Sequence, residues 1–345
     1  MIRVMVVEDS PTVLEFLTQI LSQESGILVV GVARDGEEAT RIISKVKPDL
    51  VTMDVNMPKL DGLEATRRIM QTYPVPIIIL SGALNVGDVA NTFKAMEAGA
   101  VGILSRPTLG KHSDSQKQVN DLVQMIKTMS QVKVARRPSK SQEQSLPMVP
   151  SKTFRMIAIG ASTGGPIAIQ TFLKTLSKKP PKIPILIVQH IVPSFIEGMA
   201  EWLSESTGFP VHIAKDHEFP KAGHVYLAPD GCHMGINGAG VIQIANLPPE
   251  NGSKPAISYF FRSIATSHAP DVVAVLLTGM GKDGAEELKL LRDRGATTIA
   301  QDRESSVIFG MPGEAVRLNA AMHILPPTQI ADLLHRMLQR ESEYE

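Results

Sequence analysis

The sequence predicts two α/β domains in succession, each built on a parallel sheet covered by helices. A length of 345 residues suits two domains of roughly 150 residues each. Short apolar runs alternate with segments of helical period, which is typical of strands buried on both faces. A proline-containing stretch without aromatic residues interrupts this alternation. We therefore place a first domain at 1–131, a linker at 132–152 and a second domain at 153–345.

The first domain contains five apolar runs, each followed by a segment with helical period. The runs are IRVMVV, ILVVGVA, LVTM, VPIIIL and AVGIL. The helices are predicted at 11–24, 36–46, 62–72, 86–98 and about 115–131. Five β/α units in sequence predict a five-stranded parallel sheet.

The second domain repeats the alternation and is expected to be doubly wound. Its strands are MIAIG, IPILIVQH, FPVHIAKD, HVYLAP, VVAVLLTG and TTIAQD. The segment 230–245 predicts a β-hairpin that turns at Asn237-Gly238. Helices are predicted at 166–176, 195–206, 284–294 and 329–339.

Composition narrows the classes of protein. Lys plus Arg equals Asp plus Glu at 35 each, so the overall charge does not favour nucleic acid as a partner. The single cysteine, Cys232, excludes an internal disulfide and suits a reducing compartment. No apolar stretch reaches the roughly 18 residues of a spanning helix. We expect a soluble cytoplasmic protein without direct membrane insertion.

Acidic residues follow two strands of the first domain. Glu8 and Asp9 follow the first strand, and Asp54 follows the third. Ligands of open α/β sheets bind at the carboxyl ends of strands, where these carboxylates would meet. Three close carboxylates need a cation, and Mg²⁺ prefers oxygen ligands. One carboxylate could then be a nucleophile that accepts phosphate.

Each acid taken alone has a simpler interpretation as a helix or loop cap. The combination favours a site, because polar groups follow the other strands as well. Ser81 ends the fourth strand, and Arg106 lies in the SRP segment that ends the fifth.

These residues together resemble a two-component receiver domain of flavodoxin-like fold. The resemblance implies that Asp54, in MDVNMPKLDG, is the phospho-acceptor and that Ser81 and Arg106 belong to the switch. It also implies Mg²⁺ held by Asp9, Asp54 and the backbone carbonyl of Asn56, with Glu8 assisting. The family places a lysine at the position of Arg106 and commonly an aromatic residue at that of Ile103. Guanidinium and ammonium differ in geometry, so an altered readout of phosphorylation is expected.

A serine lies on a glycine-rich turn at the start of the second domain. MIAIG runs into ASTGGP, so that Ser162 follows a strand and precedes a helix. Gly160, Ser162 and Gly164 satisfy G-x-S-x-G, a sharp turn that exposes a serine above a sheet. A phosphate-binding turn and a plain N-cap serine are the competing interpretations.

Two further strand ends supply the partners that a serine nucleophile needs. His190 ends the next strand, where it could serve as the base. Asp283 lies in the turn after VVAVLLTG and could orient the imidazole, although a helix cap is an equally good interpretation for it alone. The order Ser, His, Asp differs from that of the α/β-hydrolases.

Other interpretations of the second domain are weaker. His217, His224, Cys232 and His233 lack the spacing of a zinc site, and we interpret them as surface and loop residues. Met280 could pack in the core, or backbone N–H groups of its turn could stabilise an oxyanion. A non-catalytic output domain that binds nucleotide at the 160–165 turn is the main alternative function.

The second domain also resembles a known family, over most of its length. The blocks IGASTGGP, VQH, YLAPDGCHM, FFRSIA, LLTGMGKDGAEEL and QDRESSVIFGMPGEA resemble the catalytic domain of chemotaxis protein-glutamate methylesterases. The resemblance implies a serine hydrolase that demethylates receptor glutamates, releases methanol and also deamidates receptor glutamines.

Roles for individual residues follow from this resemblance. Ser162, His190 and Asp283 are implied to be catalytic, with Met280 and Thr163 at the oxyanion and no cofactor at the esterase site. Methyl-accepting chemotaxis receptors are the implied substrate, and a chemotaxis histidine kinase is the implied phosphodonor. The domain order predicts that the unphosphorylated receiver restricts access to Ser162.

Overall fold

The computed structural model describes residues 1–82, 86–108, 113–132 and 153–339. The chain forms two compact units, Met1–Glu143 and Gln144–Glu345. The predicted linker 132–152 lies outside the described residues except for Val132, so its boundaries stay a prediction. Within the described ranges, no helix is both long and apolar enough to cross a membrane.

The first unit contains a five-stranded parallel sheet, which confirms the predicted architecture. The strands lie in the order β2-β1-β3-β4-β5. They are β1 Ile2–Val7, β2 Ile27–Ala33, β3 Leu50–Asp54, β4 Ile77–Ser81 and β5 Gly102–Ser105. The helices that alternate with them are α1 Pro11–Gln23, α2 Gly36–Val46, α3 Gly62–Thr72, α4 Val86–Glu97 and α5 Ser113–Met129.

Local sequence explains where these elements form. The central strands β3 and β4 are buried along their whole length, as expected for continuous apolar runs between two helical layers. Helix α1 starts at Pro11, which is favoured in a first turn, and buries Leu14, Leu17 and Leu21 as one stripe. Helix α2 is capped by Asp35, whose carboxylate accepts the Glu38 amide at 2.8 Å.

The second unit is built on a seven-stranded parallel sheet, which confirms a doubly wound fold with a hairpin. The order is β14-β13-β12-β6-β7-β9-β8, and β10 and β11 form a separate antiparallel pair. The strands are β6 Met156–Ala161, β7 Ile185–Gln189, β8 Val211–Ile213, β9 Val225–Leu227, β10 His233–Ile236, β11 Ile242–Ala245, β12 Val272–Leu276, β13 Thr297–Gln301 and β14 His323–Leu325. The helices are α6 Gly165–Leu176, α7 Ile196–Thr207, α8 Ile257–Ser267, α9 Ala285–Asp293, α10 Met311–Arg317 and α11 Pro327–Gln339, with a 3-10 turn at Ala269–Asp271.

The sequence pattern does not predict several of these elements. Helix α8 buries Phe260, Phe261 and Ile264, and it begins after Ala256, which offers no capping side chain. A segment that is rich in aromatic and β-branched residues and has no capping residue does not predict a helix. Strand β14 has three residues and α10 has seven, which is too short for a clear period.

The hairpin differs from the prediction in two respects. Its turn spans five residues between β10 and β11, and the Asn237 amide donates to the Val241 carbonyl at 3.0 Å. The turn therefore contains the predicted Asn237-Gly238 pair but is longer than the pair, because it extends to Val241. The interpretation of His233 as a surface or loop residue is wrong, because it lies buried in β10. Its Nε2 lies 2.9 Å from the Pro248 carbonyl, and Nδ1 accepts the Ala256 amide at 3.1 Å.

We predict that Gly160→Ala destabilises the second unit by about 1–3 kcal/mol through overpacking. A Cβ at Gly160 would lie 2.4 Å from Cγ2 of Ile257, which is fully buried in α8. Urea unfolding followed by the fluorescence of Trp202, the single tryptophan, measures this loss. Gly238→Ala is the matched control, because a Cβ there meets nothing within 4 Å. Equal midpoints for the two variants would contradict the packing argument.

Candidate functional sites

Three neighbouring strands of the second unit bring the predicted catalytic residues to one edge of the sheet. Strand β6 lies between β12 and β7, and all three are parallel. Ser162 follows β6, His190 follows β7, and Asp283 lies in the loop after β12. The carboxyl ends of the strands therefore converge, as expected for a site on an open α/β sheet.

The turn that carries Ser162 is fixed by its neighbours. The Ser162 amide donates to the Thr278 carbonyl at 3.0 Å, and the Gly165 amide donates to the Ser162 carbonyl at 2.7 Å. Gly164 has a φ of 78°, in the left-handed region that favours glycine. A Cβ there would lie 2.6 Å from Cβ of Val307. The glycines thus serve the tight turn and close packing.

His190 and Asp283 form a close pair. His190 Nε2 lies 2.9 Å from Asp283 Oδ2, and both side chains are largely buried. The imidazole contacts the carboxylate through Nε2, so Nδ1 is the ring nitrogen left to accept a proton. A carboxylate in this position can hold one tautomer of the ring and stabilise the imidazolium.

The carboxylate of Asp283 is held by the start of helix α8. Oδ2 accepts the Ile257 amide at 2.7 Å, and Oδ1 accepts the Ser258 amide at 3.1 Å and Nδ2 of Asn251 at 3.2 Å. Burial alone would raise the pKa of Asp283, but the close contact with His190 and hydrogen bonds from Ser258 and Ile257 hold this pKa well below its ordinary value. Asp283 therefore stays ionised. Asp283 therefore acts as a cap for α8, and not for α9, the helix that follows it in the sequence.

The loop after β12 runs directly over the serine. A Cβ added at Gly279 would lie 2.6 Å from Cβ of Ser162, so Met280 follows a residue in close contact with the nucleophile. The Thr163 carbonyl accepts the Thr278 hydroxyl at 3.0 Å, which ties the serine turn to the same loop. The Met280 side chain is half exposed and does not belong to the core. Oxyanion roles for Met280 and Thr163 stay a prediction.

In the first unit, three acidic side chains meet at the ends of β1 and β3. Glu8, Asp9 and Asp54 each place a carboxylate oxygen within 4.8 Å of the others. Neither Glu8 nor Asp9 caps α1, whose N-cap is Ser10 without a side-chain hydrogen bond. Instead the Ser10 amide donates to Glu8 Oε1 at 3.3 Å. Oxygen donors at this spacing fit a hard cation such as Mg²⁺.

Within the described ranges, Arg106 supplies the positive charge in this pocket. Its Nη1 lies 3.0 Å from Glu8 Oε1 and 3.4 Å from Asp54 Oδ2, so one nitrogen bridges both carboxylates. The guanidinium packs on the backbone of Gly82, where a Cβ would lie 2.6 Å from Nη2. Gly82 therefore provides the space that an arginine needs here.

The remaining predicted residues of the first unit lie around this pocket. Ser81 is buried at the end of β4, and its carbonyl accepts the Arg106 amide at 2.9 Å. The Asn56 amide lies 3.4 Å from Asp54 Oδ1. Ile103 lies on β5 and is half-buried. The assignments of phosphorylation, switch and metal residues stay predictions.

Burial changes the acidity of the two innermost carboxyl groups. Burial and the neighbouring Asp54 raise the pKa of Glu8 from 4.5 to about 7, despite the opposing charge of Arg106. Burial also raises the pKa of Asp54, with Arg106 again opposing the shift. The surroundings of the pocket therefore disfavour the ionised form of both carboxyl groups.

Sequence reasoning missed several residues that hold the serine site. Gln189 donates to two carbonyls at the site, and Thr278 joins the serine turn to the 302–310 loop. Gln301 Oε1 accepts the Thr278 amide at 2.7 Å. These are buried polar residues at strand ends, and that position is the only signal for them in the sequence.

We predict that Glu8 makes the first unit less stable as pH rises in metal-free buffer. A carboxyl group with a folded pKa of about 7 and an unfolded value of 4.5 binds its proton more tightly when folded. The free energy of unfolding therefore falls as pH rises from 4.5 to about 7 and is level above that. Hydrogen exchange of peptides from β1, corrected for the intrinsic effect of pH on the exchange rate, measures this free energy.

Glu8→Gln should remove this pH dependence, and Glu15→Gln, at an exposed position on α1, should preserve it. An unchanged dependence in Glu8→Gln would show that another group is responsible.

Family models match both units of the chain. The model described as CheB methylesterase matches residues 157–334, and the response regulator receiver domain matches residues 4–114. The crystal structure of the Thermotoga maritima CheB methylesterase catalytic domain is similar at 34% identity and a TM-score of 0.50. It covers 53% of this chain and 97% of that chain.

Curated relatives match over nearly the full length. Protein-glutamate methylesterase/protein-glutamine glutaminase 4 of Geobacter metallireducens is 48% identical, covering 97% of this chain and 98% of the relative. The enzyme of the same name, numbered 1, from Syntrophus aciditrophicus is 47% identical, covering 98% of each. The chain therefore belongs to the protein-glutamate methylesterase/protein-glutamine glutaminase family, with a response regulator receiver domain at its N-terminus.

Proposed function

We propose that this protein hydrolyses methyl esters of glutamate side chains on chemotaxis receptors and deamidates receptor glutamines. The observation that carries the proposal is the convergence of Ser162, His190 and Asp283 at three adjacent strand ends, with 2.9 Å between His190 Nε2 and Asp283 Oδ2. The names of the full-length relatives support the substrate class.

Ser162 is the proposed nucleophile, and His190 is the proposed base. The serine oxygen attacks the γ-carbonyl carbon while Nδ1 of His190 takes the hydroxyl proton. The tetrahedral intermediate collapses, the carbon–methoxy bond breaks, and His190 passes its proton to the departing methoxy oxygen, which leaves as methanol. Water then attacks the acyl-enzyme with His190 again as base, releasing glutamate and regenerating the serine hydroxyl. With a glutamine substrate, ammonia leaves in place of methanol.

Asp283 keeps His190 ready for both proton transfers. Its ionised carboxylate lies against Nε2, which leaves Nδ1 as the nitrogen that can take the serine proton, and it stabilises the imidazolium that then forms. The backbone amide of Met280, with help from Thr163, is the proposed donor to the oxyanion. The close approach of Gly279 to Ser162 supports this position for the loop. We propose no cofactor for this half of the protein.

The first unit is the proposed regulator, phosphorylated at Asp54 by a chemotaxis histidine kinase. The donor set fits Mg²⁺, which Asp9, Asp54 and the carbonyl of Asn56 would hold with Glu8 nearby; the ion would neutralise charge on the phosphoryl group. Ser81 and Arg106 would contact the phosphoryl oxygens as the switch residues.

We further propose a receiver at 1–131, a linker at 132–152 and a methylesterase domain at 153–345. Phosphorylation of Asp54 shifts the equilibrium of the receiver toward a state that leaves Ser162 open to substrate. The pathway operates in the cytoplasm, without nucleic acid and without membrane insertion of the protein. The balance of charge and the single Cys232 support this assignment.

Ser162→Ala should lower methanol release from methylated receptor membranes by several orders of magnitude, because the nucleophile is lost. The fold should persist, since alanine fits wherever serine does. Ser177→Ala is the matched control, at a serine whose hydroxyl bonds the Lys174 carbonyl at the end of α6. Methanol release by Ser162→Ala at the rate of the control would disprove the assignment.

An acyl-phosphate donor with Mg²⁺ should stimulate methanol release by the full-length protein, and Asp54→Asn should abolish the stimulation. Asp121→Asn, at an exposed position on α5, should respond as the wild type does. Arg106→Lys tests the switch, because a lysine contacts fewer acceptors than a guanidinium. Stimulation that persists in Asp54→Asn would place the phosphorylation site elsewhere.

A further inference from the structure

Gln189 lies between the proposed nucleophile and the proposed base. It is the last residue of β7, and its side chain is buried, with 2% of the residue exposed. Nε2 donates to the Ser162 carbonyl at 2.8 Å and to the His190 carbonyl at 2.7 Å. Both partners are acceptors only, which fixes the orientation of the amide.

We infer that Gln189 is a positioning residue that sets the distance between Ser162 and His190. The inference rests on the catalytic roles proposed for those two residues. One rigid planar group joins their backbones, so the two strand ends are held by the side chain as well as by the sheet. A displacement of about 1 Å between reacting groups can slow a reaction about 100-fold.

The oxygen of the Gln189 amide is in a less favourable position than the nitrogen. Gln189 Oε1 is buried and has no hydrogen-bond partner among the described residues. An unsatisfied buried acceptor is unfavourable, and an apolar side chain of the same length would avoid it. The value of a glutamine here therefore lies in the two bonds that Nε2 donates.

Gly165 provides the space for the amide. A Cβ at this position would lie 2.0 Å from Gln189 Oε1 and 2.9 Å from Ala161 Cβ. The φ of Gly165 lies outside the left-handed region, so its backbone conformation does not require glycine. The two glycines of the serine turn have different purposes: Gly164 allows the turn, and Gly165 admits Gln189.

The test compares Gln189→Met, which removes both donors at similar length, with the wild-type full-length protein. Methanol release gives kcat and KM, and a sulfonyl fluoride that labels the active serine gives two further values. The endpoint of labelling counts folded sites, and its rate reports the alignment of serine and base. We expect kcat to fall about 10- to 100-fold, with KM within about twofold and a full endpoint. The labelling rate should fall in parallel with kcat.

Two further variants make the test specific. Gln170→Met removes another buried glutamine, on α6, and should leave kcat unchanged even where it lowers the melting temperature. Gly165→Ala keeps Gln189 but displaces its amide, so kcat should fall as in Gln189→Met. This variant also decides the matter if Gln189→Met does not fold.

Retention of kcat within about twofold in Gln189→Met or Gly165→Ala would overturn the inference. A reduced labelling endpoint with normal kcat per labelled site would also overturn it, because Gln189 would then be structural only. Ser162→Ala distinguishes a failure of the proposed serine site from a failure of the positioning role. An active Ser162→Ala defeats the proposed site itself, whereas an inactive Ser162→Ala with an active Gln189→Met defeats the positioning role alone.

Discussion

The serine site depends on one constraint, which is the position of β6 between β12 and β7 in a parallel sheet. Parallel neighbours end at the same edge, so three separate loops must deliver their side chains to one place. The sheet alone brings Ser162, His190 and Asp283 near each other, and buried hydrogen bonds then set the orientation of each. The amides of α8 hold Asp283, Gln189 holds the two backbones, and Thr278 holds the serine turn.

The receiver pocket also lies at the carboxyl edge of a parallel sheet. Its surroundings disfavour ionised carboxylates, whereas those of the serine site favour one. Asp283 is buried among donors and stays ionised, whereas Glu8 and Asp54 are buried together and, among the described residues, share one nearby cation, Arg106. The first arrangement is satisfied at rest. In the part of the chain that the structure describes, the second sets one guanidinium against three carboxylates, and a pocket with this excess of negative charge gains most from binding a divalent cation.

The sequence pattern was sufficient to predict both parallel sheets, apart from the short strand β14, and the strand ends that carry the proposed site residues. Long apolar runs and regular helical periods define β1 to β5 and most of the second unit. The pattern could not predict α8, whose start is fixed by the carboxylate of Asp283, a residue 26 positions later. Nor could it predict the partners of Gln189, since those carbonyls become neighbours only after the strands pair. Contacts between distant segments carry no local signal.

The orientation of His190 has a consequence for covalent inhibitors. Reagents that bind a nucleophilic serine and alkylate the adjacent base modify whichever ring nitrogen faces that serine. Because Nε2 is paired with Asp283, the alkyl group should be found on Nδ1. The two alkylhistidine isomers differ in chromatography after hydrolysis, so the modified residue would record which way the ring faces. An inhibitor shaped for Nε2 chemistry would therefore fit this enzyme poorly.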